Sequence, residues 1–218
     1  MADKSPPPLP MRFLDLYPSA PRIGDDPELH GGRERSSPHE AGKWPTHVYV
    51  EWLPTPAEAL TLKAMLPSDA TSLLHSQFGA QLPLHVSLSP PLKVTTDDRE
   101  PFIEAIWSAI DSISSFSVEF TGLQWLSNPS YTRDFLALTV GPSAELEELF
   151  QATQSVCKSM SYETFTHDRP QPHVSVAWRL PAKSANELPA SEATIARLRA
   201  DIDTVKIKIG RLVYRKSL

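Results

Sequence analysis

His85-Val86-Ser87-Leu88-Ser89 returns later in the chain as His173-Val174-Ser175-Val176-Ala177. Both stretches alternate polar and apolar residues, which is the period of a β-strand. In a strand, residues i and i+2 share a face. His85 and Ser87 therefore point one way and Val86 and Leu88 the other, while His173 and Ser175 oppose Val174, Val176 and Trp178. The apolar faces read as core. An imidazole beside a hydroxyl on the opposite face needs another account, and needs it twice.

The two copies sit in matching surroundings. His85 and His173 are separated by 173 − 85 = 88 residues, and the same offset links Val50 to Leu138 and Phe116 to Thr204. His47–Trp52 and Phe135–Val140 are β-branched and aromatic, so each reads as a strand opening a half. Pro56 and Pro142 then open helices, the first running to about Met65-Leu66 and the second with Leu146, Leu149, Phe150, Thr153 and Val156 on one side. Residues 68–83 read as irregular or a further short helix. A helix follows Asp97-Asp98, with Phe102, Ile103, Ile106, Ile110 and Ile113 at helical spacing, and another is expected over about 191–201. The closing strands are expected at Phe116–Leu126 and at Val205–Tyr214, the latter as one strand. Each half is thus strand, helix, histidine strand, helix, strand. This predicts an α+β fold of two pseudo-symmetric lobes from an internal duplication, with antiparallel sheets and flanking helices around a central cleft. Repeat 1 spans about 45–127 and repeat 2 about 131–218. Equivalent strands across a pseudo-two-fold axis would bring the two imidazole faces into that cleft.

Residues 1–44 read differently. Nine of the 22 prolines lie before residue 46, with Gly31-Gly32 and scattered charges and no periodicity, so a loosely ordered Pro-rich segment is expected there. A net charge of −5 over 218 residues argues against a broad phosphate-coating surface, and any nucleic-acid contact is expected to be local. The single Cys157 forms no internal disulfide and reads as a small apolar helix residue, which suits a reducing compartment. No apolar run approaches the ~18 residues of a membrane helix, and no secretory signal is visible.

Histidine titrates near pH ~6.5, so two of them facing one substrate can divide the work of acid and base. A neutral imidazole takes a proton from the attacking oxygen, and an imidazolium gives one to the leaving oxygen. On RNA the attacking group is available as the neighbouring 2′-hydroxyl, and the product is a 2′,3′-cyclic phosphate that water can open. Ser87 and Ser175 would donate hydrogen bonds to the non-bridging phosphate oxygens. A zinc site usually takes three or four ligands. A serine hydrolase bonds its serine to its histidine, often on a glycine-flanked elbow. Neither pattern is here, and neither a metal nor a cofactor is expected. A lone strand histidine is more often structural, and the repetition reverses that balance. Among the other histidines, His30, His39 and His75 read as surface or loop residues and His47 as structural. His167 stands six residues before His173, within reach of the same cleft.

The paired His-x-Ser strands resemble the 2H phosphoesterase superfamily. Further stretches resemble its U6 snRNA phosphodiesterase branch: Gly31-Gly32-Arg33-Glu34-Arg35, Pro38-His39-Glu40, Trp44-Pro45-Thr46-His47-Val48-Tyr49-Val50 and Thr132-Arg133-Asp134-Phe135-Leu136-Ala137-Leu138. The likeness runs from about residue 30 to at least 180. It implies a nuclear, metal-independent 3′-to-5′ exoribonuclease that removes uridines or adenosines from the U6 3′ end and leaves a cyclic phosphate or monophosphate. His85 and His173 match the catalytic pair and Ser87 and Ser175 the phosphate-binding hydroxyls. His167 stands where the family often has a base-stacking tyrosine. The family usually continues several residues past Lys216-Ser217-Leu218, where this chain ends. The expected partner is RNA, with no membrane, and the protein is expected to be a monomer. The competing readings are a cyclic phosphodiesterase or 2′,5′-RNA ligase-like enzyme, and a non-catalytic RNA-binding module.

Overall fold

The computed structural model describes residues 40–166, 171–181 and 192–218. The first described element is a strand of alternating burial, Lys43–Trp52 (β1). Helix α1 (Pro56–Ala64) follows. Its start is set by Pro56 and by a capping box, in which Thr55 Oγ1 accepts from the Glu58 amide and Glu58 reaches back to the Thr55 amide. After the two-residue strand β2 (Thr71–Ser72) come the first histidine strand, β3 (Leu84–Ser87), then β4 (Leu92–Thr95) and helix α2 (Arg99–Ala109). Strands β5 (Phe116–Ser127) and β6 (Asp134–Val140) form a hairpin. Helix α3 (Ala144–Ser159) is capped by Ser143, whose Oγ accepts from the Leu146 amide. The second histidine strand is β7 (His173–Arg179). A four-residue helix α4 (Glu192–Ile195) precedes β8 (Arg199–Ile202), β9 (Thr204–Ile209) and β10 (Leu212–Ser217).

Of the two readings for residues 68–83, the irregular one holds rather than the helix, with Thr71-Ser72 paired to Trp178-Ala177 of β7. Two expectations are corrected. The helix expected over 191–201 stops at Ile195, and Arg199–Ile202 pair with Phe116–Glu119. Local helix-forming residues yield there to a place at the sheet edge, because Ala200 and Ile202 are buried while Arg199 and Asp201 bond Glu119 and Ser117. The closing strand over 205–214 is a hairpin. Gly210 turns it at φ 59, and a side chain there would press on the Trp44 ring. The Pro-rich segment through residue 39, with His30 and His39, lies outside the described residues.

Among the described residues the strands order as β10-β9-β1-β3-β7-β6-β5-β8, with β4 beside β1 and β2 beside β7. The 88-residue offset reappears in the hydrogen bonding. Val50 pairs with Val86 and Glu51 with His85, and Leu138 pairs with Val174 and Thr139 with His173. The closing strands are exchanged: β5 of the first half pairs with β6 of the second, and β9 of the second pairs with β1 of the first. Each lobe is therefore built from both halves of the chain, and β3 against β7 is the seam.

One face of the sheet is apolar and covered. Phe102, Ile103 and Ile106 of α2 and Leu146, Leu149 and Val156 of α3 join Val48, Val50, Val86, Leu136, Leu138, Val174, Val176 and Ile207 in one core. Cys157 lies inside it, with burial pushing its thiol up to about 11, so it stays a protonated apolar filler. With the helices on that face, the opposite face of the central strands is left for polar side chains.

Candidate active site

The seam decides where the polar groups meet. Val86 and Val174 are antiparallel partners, and both are buried in the core. Extending that register by one residue in each direction sets His85 across from Ser175 and Ser87 across from His173. All four side chains leave the sheet on the face opposite the core. The two histidines are then diagonal neighbours across the seam, a relation that places residues about 7–8 Å apart. That spacing leaves a tetrahedral phosphate room between the imidazoles, with one hydroxyl from each strand beside it.

The neighbours of each histidine differ. His173 Nδ1–H donates to the carbonyl of Gln171 at 2.9 Å. This leaves Nε2 for the cleft, ready to accept a proton when neutral and to donate one when charged. Its cross-strand partner Thr139 is nearly buried and accepts from Gln124 Nε2 at 3.1 Å. His85 instead faces Glu51, which is held at 2.6 Å by Lys206 Nζ. Solvent reaches the His85 ring, yet protein surrounds it, and desolvation holds its pKa below the usual 6.5. The charge on His173 lowers it further, while the Glu51 carboxylate pulls it up. Two like charges this close resist being present together, so a proton on one imidazole disfavours a second proton on the other. One acid and one base are what the two-histidine chemistry requires.

Sequence reasoning set His47 aside as structural, and the structure brings it into the cluster. His47 Nε2 lies 2.9 Å from Ser87 Oγ. Its ring stacks on Tyr49 at 5.2 Å and meets the His85 ring edge-on at 5.3 Å. The signal was present in β1: His47, Tyr49 and Glu51 alternate with Val48, Val50 and Trp52, as the histidine and serine do in β3 and β7. Burial, then the charges of His85 and Lys208, push His47 down to about 4. His75 is exposed and His167 lies outside the described residues. Among the described residues no group of three or more His, Cys, Asp or Glu is placed to hold a metal ion, and no helix is long and apolar enough to cross a membrane.

The depressed histidines make stability depend on pH. Each binds its proton more weakly folded than unfolded, so stability is complete above the unfolded value near 6.5 and falls as the pH drops below it, for His47 down to about 4. For His47 the shift from 6.5 to about 4 amounts to a loss of about 3 kcal/mol at most. Urea unfolding at pH 7 and pH 4 is expected to show the loss, and His47→Gln is expected to flatten much of it. An equal slope in wild type and variant would contradict the assignment.

Comparison with known proteins places the chain. The family model HVSL, described as an uncharacterised conserved protein, matches residues 7–216. U6 snRNA phosphodiesterase 1 of Neurospora crassa is 28% identical, over 97% of this chain and 74% of its own length. The protein of the same name from Drosophila melanogaster is 30% identical, over 79% of this chain and 69% of its own. Among solved structures, Kluyveromyces marxianus Usb1 superposes with a TM-score of 0.66 at 18% identity, covering 82% of this chain and 100% of its own. The same protein with uridine monophosphate gives 0.63, over 80% of this chain and 98% of its own. The expected α+β fold of antiparallel strands with flanking helices is thereby borne out, in the arrangement that Usb1 shares.

Proposed function

The chain belongs to the HVSL family and is a relative of the U6 snRNA phosphodiesterases, and from that footing we propose that it is a 3′-to-5′ RNA phosphodiesterase trimming the 3′ end of U6 snRNA. The observation that carries the reading is the seam pair Val86–Val174, which sets two imidazoles and two hydroxyls on one open face. In the reaction, one neutral histidine of the pair His85 and His173 takes the proton of the 2′-hydroxyl on the penultimate nucleotide. That oxygen bonds to phosphorus as the bond to the 5′-oxygen of the terminal nucleotide breaks. The other histidine, protonated, gives its proton to the departing 5′-oxygen. The products are a chain ending in a 2′,3′-cyclic phosphate and a released nucleoside. Water entering by the reverse proton path opens the ring to a monophosphate. Ser87 and Ser175 bind the non-bridging oxygens, where charge gathers in the transition state.

This chemistry uses groups of the protein and the RNA alone. The domain at work is residues 45–218, read as two copies of one unit. The substrate implies a nuclear role, and the enzyme is read as a nuclear monomer without membrane attachment. The test is incubation with oligouridine bearing free 2′ and 3′ hydroxyls, in EDTA, with products weighed by mass spectrometry. Stepwise loss of single nucleotides and a terminal cyclic phosphate or monophosphate are expected. Activity that vanishes on chelation would sink the metal-free mechanism. A protein that opens small cyclic phosphates but leaves oligouridine intact would instead be a cyclic phosphodiesterase.

A further inference from the structure

We propose that His47 is a positioning residue for the Ser87 hydroxyl, donating its Nε2–H to Ser87 Oγ so that the hydroxyl hydrogen is turned toward the phosphate. The inference rests on the reading of Ser87 as a phosphate-binding group.

A serine hydroxyl has one hydrogen to give and two lone pairs to accept with. Ser87 Oγ and His47 Nε2 are 2.9 Å apart, so one of them donates to the other. If Ser87 donates, its only hydrogen is spent on the imidazole, and lone pairs alone face the anion. If His47 donates, Ser87 accepts on one lone pair and its hydrogen is free for a phosphate oxygen. Only the second arrangement makes Ser87 an anion-binding group. It is also cooperative, because a hydroxyl that accepts a hydrogen bond is a better donor.

The rest of the environment supports a neutral, fixed ring. Tyr49 stacks on His47 with 21° between the planes, and His85 meets it at 82°. His47 is paired in the sheet with Lys208, whose charge, with that of His85 and above all burial, disfavours a proton on both ring nitrogens. A neutral imidazole has a single N–H, and the proposal assigns it to Nε2. The 88-residue equivalent of His47 is Phe135, which has no donor. The two serines are thus supported differently, and His47 breaks the symmetry of the duplicated site. The alternating polar positions of β1 are the elements of this support. His47 orients Ser87, and Glu51 faces His85.

The experiment is a double-mutant cycle on the full chain with oligouridine as substrate. His47→Phe and Ser87→Ala are each expected to lower kcat/KM by up to about 10²–10³-fold, the range for one removed oxyanion-hole donor. The double variant is expected to be no worse than Ser87→Ala alone. His47→Gln keeps an N–H donor near the same place and is expected to recover most of the loss. Melting temperatures are read alongside, and a structural role would move them without coupling the two residues. Multiplicative losses, or His47→Gln as poor as His47→Phe, would overturn the proposal. The ring nitrogen shifts of His47 by NMR give a second readout, since a proton on Nδ1 in the neutral ring would also overturn it. If the wild type does not trim oligouridine, the phosphodiesterase reading fails by itself. The same cycle is then run on dissociation constants for uridine monophosphate, where coupling of His47 and Ser87 supports the proposal and independence refutes it.

Discussion

Replacing His85 or His173 with alanine is expected to lower kcat for 3′-end trimming by about 10²–10⁴-fold each, the usual contribution of a positioned acid or base. The double variant is expected to be little worse than either single one. In the proposed mechanism acid and base act in one step, so losing either disables it. Folding is expected to survive, because His85 is exposed and His173 only half-buried, and neither belongs to the core. Stability in urea at pH 7 should stay within about 0.5 kcal/mol of wild type, as for surface changes. A large loss of stability that tracks the loss of activity would return both residues to a structural role. An unchanged rate with weaker RNA affinity would mark a binding module instead. A substrate with sulfur in place of the leaving 5′-oxygen separates the roles, since a thiolate departs without a proton. The variant lacking the acid should regain activity on it, and the variant lacking the base should not. The pH–rate curve is expected to be a bell, with its acid limb below the ordinary histidine value because desolvation and the His173 charge hold His85 down.

The second large effect is on the substrate. Oligouridine with a 2′-deoxy sugar at the penultimate nucleotide is expected to resist cleavage altogether while still binding. In the proposed reaction the 2′-hydroxyl there is the nucleophile, held beside the phosphorus by the RNA itself. Well-oriented intramolecular groups are worth effective molarities of about 10⁵–10⁸ M, which water cannot match. The same substitution on the terminal nucleotide is expected to change little, because that sugar supplies only the leaving 5′-oxygen. The deoxy substrate should compete with the ribose one at similar affinity. Cleavage of the penultimate-deoxy substrate at a comparable rate would show that water attacks directly. The histidines would then serve a hydrolysis with no cyclic intermediate.

The pairing of His85 with His173 was legible because its evidence is local and repeated. Period-two alternation in His85–Ser89 and in His173–Ala177 sets the imidazole and hydroxyl on one face whatever the rest of the chain does. The 88-residue offset needed only counting, and it reappears as the same cross-strand register in both halves. Elements whose identity depends on a distant partner were harder to read. Residues 196–201 carry helix-forming alanine, arginine and leucine, yet β8 is a strand because β5 offers Phe116–Glu119 to pair with. Strand β4 follows two prolines, and it is Lys43–Thr46 of β1 that gives it a partner.

The site divides in the same way. His47 is one of several lone histidines in the sequence, and nothing local connects it to Ser87, forty residues on. Pairing of β1 with β3 makes them neighbours, because Tyr49 lies opposite Ser87 and Glu51 opposite His85. By itself, then, the sequence determined the 88-residue recurrence of His-Val-Ser, the faces of the two histidine strands and the identity of the paired groups. These follow from strand periodicity and from repetition. Only the tertiary structure decided that β3 and β7 meet at the seam, that the closing strands change places, and that His47 stands behind Ser87. Those depend on hydrogen-bond register between strands far apart in the chain, which no local pattern of residues carries.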